Sequence, residues 1–340
     1  MRIFFPKGDK TFRALGLLFM LLALLYCRPA SKMDYRKSAE ATSLLGEPLY
    51  APAPEAGLLD RYKQYKVDFL IDTTNVEKLI WFGRFAGYTG AYQEAIAIYS
   101  RGIRMYPEDP RLYRHRGHRY ISVRAFDKAI EDLEFAAQLI DGKPNEIEPD
   151  GLPNAQNIPV STLHGNIWYH LGLAYYLKQD MESALGAYKR ALAATENDDN
   201  IVSTTHWIYM ILRRLGRVEE ADTYLEAIHD RMNVIENLSY YRACLMYKGV
   251  LKVRDLQGEL ENSSSGDALT YALGNWYFYN GEEKEAKSLF RNLLGRKTGW
   301  ASFGYIAAES DWNAHFESPG FQSSELSLFS KIKRSNPFAQ

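Results

Sequence analysis

An all-α fold built from one repeated unit is predicted by three observations. The stretch Trp168 to Tyr188 reads WYHLGLAYYLKQDMESALGAY, with Trp168, Leu171, Gly172 and Tyr175 spaced W-x₂-L-G-x₂-Y and Ala184 and Tyr188 following as Ala-x₃-aromatic. Small residues recur at one fixed step, the same from Gly83 to Gly117 as from Ala95 to Ala129. The period-two alternation of a strand is nearly absent. The spacing has a physical meaning. Trp168, Leu171 and Tyr175 share one stripe of a helix. Gly172 on that stripe lets a second helix approach, Ala184 is small for the same reason, and Tyr188 fills the space beside it.

Further copies follow. Gly83, Ala86, Gly90, Ala95, Tyr99 and Pro107 form the first, and Gly117, Tyr120, Ala129, Leu133 and Ala136 the second. Gly216, Ala221 and Leu225 mark a copy after the Trp168 one, and Gly274, Tyr277, Gly281, Ala286 and Phe290 the last. The copies begin near Val76, Pro110, Gly165, Val202 and Asp267. The gap from Val202 to Asp267 is close to twice the step, so a degenerate copy is expected over Glu236 to Gly266 with Tyr240 to Gly249 as its first helix. From about residue 70 to 312 this pattern resembles the tetratricopeptide repeat (TPR) family, whose unit is two antiparallel helices in about 34 residues. The resemblance implies a right-handed superhelix, an α-solenoid of about six helix pairs with one degenerate and a capping helix. It also implies a concave face that binds other proteins.

Ahead of the repeats, Arg2, Lys7, Lys10 and Arg13 precede an apolar run, Ala14 to Tyr26. A basic head before 7–15 apolar residues is a secretory signal, whereas a membrane span needs about 20. Leu24-Leu25-Tyr26-Cys27 resembles a bacterial lipoprotein processing site, although Tyr26 stands where a small residue is favoured. Lipidation of Cys27, plain cleavage after residue 27 and an uncleaved anchor stay open, and each places the repeats outside the cytoplasm, in the bacterial cell envelope. Residues 28–65 hold Pro29, Pro48, Pro52 and Pro54 and are expected as a spacer, with Leu58 to Leu70 as a lead-in helix. Cys244 is expected as a buried small hydrophobe.

The solenoid is expected over 66–312. The third clear copy starts near Gly165 instead of Pro144, which leaves an insertion at 143–164. Pro144, Pro149, Pro153 and Pro159 block a helix there, and Glu146, Glu148 and Asp150 make it acidic. It is either a flap against the groove or a solvated loop. Lys297 to Trp312, with Trp300, Phe303, Tyr305 and Ile306, is the expected capping helix, and 313–340 a loose tail.

In the TPR family the concave face is built from set positions of the first helices. Those positions carry Arg84, then Arg111, Arg114, His115 and His118, then Tyr169, His170 and Tyr176, then His206 and Trp207, and finally Tyr271 and Asn275. Clustered Tyr, Trp and Arg make binding hot spots, and arginine forks suit carboxylates and phosphates. A protein or peptide ligand, acidic or aromatic, is therefore expected in the groove. The family's carboxylate clamp is not carried over, because Ile80, Arg84 and His115 stand at its Lys and Asn places. Two alternatives stay open. The histidines His115, His118, His170 and His206 could bind a metal or cofactor, or the chain could be a structural subunit of an envelope assembly. No Gly-rich phosphate loop, nucleophile elbow or zinc-hydrolase motif is present, so no enzyme and no resident cofactor is expected. A net charge of −1 argues against nucleic acid as the main partner.

Overall fold

A computed structural model describes residues 38–260, 263–296 and 298–316. Cys27, the basic head, the apolar run and the expected tail beyond residue 316 lie outside them. Helices account for nearly all regular structure among the described residues. A lead-in helix α1 (Ala56–Ile71) precedes the pair α2 (Val76–Tyr88) and α3 (Tyr92–Met105), then α4 (Pro110–Ser122) and α5 (Phe126–Leu139). After the insertion come α6 (Leu163–Leu177) with α7 (Met181–Ala193), and α8 (Asp198–Arg214) with the short α9 (Val218–Leu225). The degenerate repeat keeps its first helix, α10 (Leu238–Tyr247), but two 3₁₀ turns replace its second. The last pair is α11 (Ser264–Tyr279) and α12 (Glu283–Leu294), closed by α13 (Phe303–His315). No helix among the described residues is long and apolar enough to cross a membrane.

Short polar side chains start these helices. Asn75, Asp109, Thr162, Asp180, Asn197, Ser263 and Ser302 each accept a hydrogen bond from a backbone N–H of the first turn, which satisfies a donor that the helix cannot. In four of the pairs the approach is set by one contact. A Cβ added to Gly83, Gly172 or Gly274 would lie 2.6, 2.7 or 2.5 Å from the ring of Tyr99, Tyr188 or Phe290, and at Gly117 it would lie 2.8 Å from Leu133. Each of these partners follows its glycine at the same offset along the chain. The large side chain occupies the space over bare backbone, and the two helices close to that depth. Gly172→Ala should lower stability by about 1–3 kcal/mol through overpacking, read as a shift in the urea unfolding midpoint. An unchanged midpoint would mean that the Tyr188 ring yields freely.

Two features depart from the expected plan. Residues 39–54 are no spacer. Ala41–Thr42 and Pro48–Leu49 (β1 and β2) form a small antiparallel hairpin held onto the helices. Glu40 accepts from the backbone of Gln93, and Leu44 N–H donates to Glu309 of α13 at 2.6 Å. Trp300 Nε1 donates to Tyr50 O at 2.8 Å. The prolines excluded helix, but they did not exclude this docked strap. The second departure is curvature. α13 packs on α6 as well as on α11 and α12, and α8 touches α11. The later repeats therefore curl round until their inner faces meet the closing helix.

Candidate functional site

That curl divides the twelve expected groove residues. Those of the later repeats form no open wall. Tyr176, His206, Trp207, Tyr271 and Asn275 are all at most 2% exposed. Tyr176 and Tyr271 share a short hydroxyl–hydroxyl hydrogen bond, and Asn275 Nδ2 donates to Tyr176 Oη at 3.3 Å. Tyr271 Oη donates to Asp311 Oδ2 at 2.7 Å, and Asp311 also holds Arg214. Four helices, α6, α8, α11 and α13, are thereby tied through one buried polar network. Trp207 stacks on Tyr188 at 5.8 Å and donates through Nε1 to Tyr169 Oη. His206 lies between Tyr240 and Tyr247. The expectation of a recognition wall here is corrected. Large rings on a strongly curved inner face gain more by burying against each other than by facing water.

The imidazoles do not form one cluster either. His118 and His170 are 4.3 Å apart by ring centroid, with Phe303 of α13 beside both, and His115 stacks on Tyr99. His206 is packed separately among its tyrosines. Among the described residues no group of three or more His, Cys, Asp or Glu could hold a metal ion. Burial, helped by Arg114, pushes the His115 and His170 pKa values well below the ordinary imidazole value, so both rings are neutral near pH 7.

The first two helix pairs keep an accessible basic face. Arg84 of α2 and Arg114, His115, His118 and Arg119 of α4 surround a cavity of about 90 Å³, floored by Tyr88 and Tyr99. A second cavity of about 240 Å³ adjoins it, between Trp81, Arg84 and Arg111 on one side and the insertion on the other. Arg111, expected on the groove, lines this second cavity, but Asp109 and Glu77 both pair with it. Arg84 and Arg119 form no ion pair among the described residues. Arg84 lies over the Trp81 ring at 4.6 Å and Arg119 over Tyr92 at 5.5 Å. Arg119 is absent from the expected wall because it lies off the groove positions. Gly87 was its one signal, since a Cβ there would come within 2.9 Å of the Arg119 guanidinium.

One carboxylate enters this basic face, and it comes from the insertion. Glu148 lies 3.1 Å from Arg114 Nε and 3.5 Å from His115 Nε2, and accepts from Asn166 Nδ2 at 2.9 Å. Arg84 donates to Pro149 O at 2.7 Å, and Gly151 lies against the Tyr88 ring. The insertion therefore folds back on the first two pairs. Its base is pinned by a bridge between Ile147 and Thr162 and by Glu148 N–H donating to Ser161 O.

Residues 165–198 match the family model of the tetratricopeptide repeat. No curated protein matches the chain. Among solved structures, a tetratricopeptide repeat protein from Parabacteroides merdae ATCC 43184 is 16% identical over 74% of this chain and 92% of its own, with a TM-score of 0.46. YrrB, a TPR protein with an unusual peptide-binding site, is 16% identical over 73% of this chain and 96% of its own, with a TM-score of 0.39. MamA is 17% identical over 56% of this chain and 90% of its own, with a TM-score of 0.39.

Proposed function

We propose that this tetratricopeptide-repeat protein is a non-enzymatic interaction scaffold, and that it receives an acidic segment of a protein partner on its first two helix pairs. One observation carries the reading: the guanidiniums of Arg84, Arg114 and Arg119 converge on one cavity, while among the described residues Glu148 alone forms an ion pair with them and Asp150 acts on Arg84 from further away. Charge excess at a partly desolvated site favours an incoming anion. Trp81 and Tyr88 line the two cavities beside the arginines and add aromatic character to the site. The later repeats serve this face as a rigid, closed support. The basic head and apolar run ahead of Cys27 would hold such a scaffold at or beyond a membrane.

Selection of random displayed peptides against the full chain tests this. Asp- and Glu-rich sequences should be enriched, and Arg84→Ala should weaken the selected peptides at least about tenfold, near 1.4 kcal/mol. Circular dichroism would check that the variant remains folded. Enrichment of basic or wholly apolar peptides, or equal binding by the variant, would remove the proposal.

A further inference from the structure

We infer that Glu148 is a resident occupant of the anion site, and that the insertion is a latch which a partner's carboxylates displace. This rests on the proposed recognition of acidic segments and adds the element that gates it.

The insertion is held down by polar contacts. Its tip touches the repeats through the Glu148 carboxylate, the Pro149 carbonyl on Arg84, the bare backbone of Gly151 on Tyr88 and Asn154 Nδ2 donating to Glu236 Oε1 at 2.7 Å. Its apolar side chains do not hold it: Ile147, Leu152 and Ile158 are 67, 49 and 49% exposed. A loop fixed for good would turn such residues inward, since each buried one would stabilise by about 1.5–3 kcal/mol. The two ends are anchored separately. Asn145 reaches Thr162 and Ala194, and Val160 O accepts from Asn197 and Asn200. With Ile147 bridged to Thr162 and the Glu148 backbone held by Ser161, the Glu148 side chain and residues 149–158 can leave the helices without the repeats unfolding.

The site beneath is incompletely satisfied with Glu148 in place. Arg84 Nε and Arg114 Nε are buried, and neither makes a hydrogen bond of good geometry. Arg119 lines the cavity and pairs with no carboxylate among the described residues. A single monodentate carboxylate leaves these donors over. A segment with several carboxylates could engage them by forks, which is the geometry guanidinium prefers. Exchange of one internal carboxylate for several external ones would then be favourable, while an isolated acid would compete poorly with the tethered one.

The test uses the full chain with a capped octaglutamate peptide as probe and octaglutamine as control. Glu148→Gln should bind octaglutamate about tenfold more tightly than wild type. Asn166→Ala removes one hydrogen bond to Glu148 without changing any charge, and should tighten binding in the same direction. Octaglutamate, and not octaglutamine, should speed amide hydrogen exchange over 149–158 in wild type. If octaglutamate binds but both variants bind no better, or exchange over 149–158 stays unchanged, the latch is wrong while recognition of acids stands. If octaglutamate binds neither wild type nor Glu148→Gln, the latch falls together with the acidic-segment reading.

Discussion

Glu309→Ala should destabilise the folded chain by about 3–5 kcal/mol, the usual cost of leaving one member of a buried ion pair alone. Glu309 is fully buried on α13 and accepts from Arg124 Nη2 at 2.7 Å, from Arg124 Nε at 3.2 Å and from Leu44 N–H at 2.6 Å. Arg124 completes the knot by donating to Ser122 O and Trp300 O and lying over the Trp300 ring. Removing the carboxylate would strand a guanidinium that is 3% exposed, along with a hairpin N–H. Arg124 also has a backbone cost. It holds φ 65°, in the turn where Gly90, one repeat earlier, and Gly216 and Gly281 serve other pairs. Arg124→Gly would relieve that strain and should still destabilise, because Glu309 would lose its counter-charge. Urea unfolding at pH 7.5 measures both. A Glu309→Ala loss below about 1 kcal/mol would show that water reaches this pair.

Acidification should have the next largest effect. His206 has no exposed surface, its Nε2 has no hydrogen-bond partner among the described residues, and burial pushes its pKa down from 6.5 to about 3. Below pH 6.5 the unfolded chain takes up a proton that the folded chain refuses. Stability therefore falls as pH drops through 6.5 and keeps falling toward 3. At pH 5 the loss from His206 alone is about 2 kcal/mol. His115 and His170, also buried and shifted down, act in the same direction. Urea midpoints at pH 7.5 and pH 5 should thus diverge strongly in wild type. His206→Phe keeps the ring between Tyr240 and Tyr247 and should narrow that difference. Equal pH dependence in wild type and variant would show that His206 is protonated, or hydrated, in the folded chain.

Much of the architecture was legible residue by residue. Gly172 facing Tyr188 and Gly274 facing Phe290 are contacts across a single tight turn, so a local spacing states them. The helix at Pro110 starts where its proline and Asp109 cap put it, because capping is decided within one turn. The candidate site was legible only in part. Arg84 and Arg114 were expected on the inner face and line the cavity there. Arg111 was expected on the same face and lines the second cavity, but Glu77, one repeat before it, lies in the neighbouring pair and neutralises it. Trp207 and Tyr271 carry the residue types of a recognition wall and are core.

By itself, then, the sequence determined the unit: a glycine under a large apolar side chain in four pairs, a side-chain cap at the start of most first helices, a constant step between copies, and a proline-rich interruption after the second pair. Each is a short-range matter of sterics and hydrogen bonds, settled within a pair or between neighbours. Only the tertiary structure decided which inner faces stay accessible. That depends on small rotations between pairs adding up until α13 reaches α6, and on contacts such as Arg124 with Glu309, far apart in the chain. No periodicity encodes such a closure. The same type of side chain, an aromatic or an arginine at a groove position, becomes core where the curve shuts and a basic cavity where it stays open.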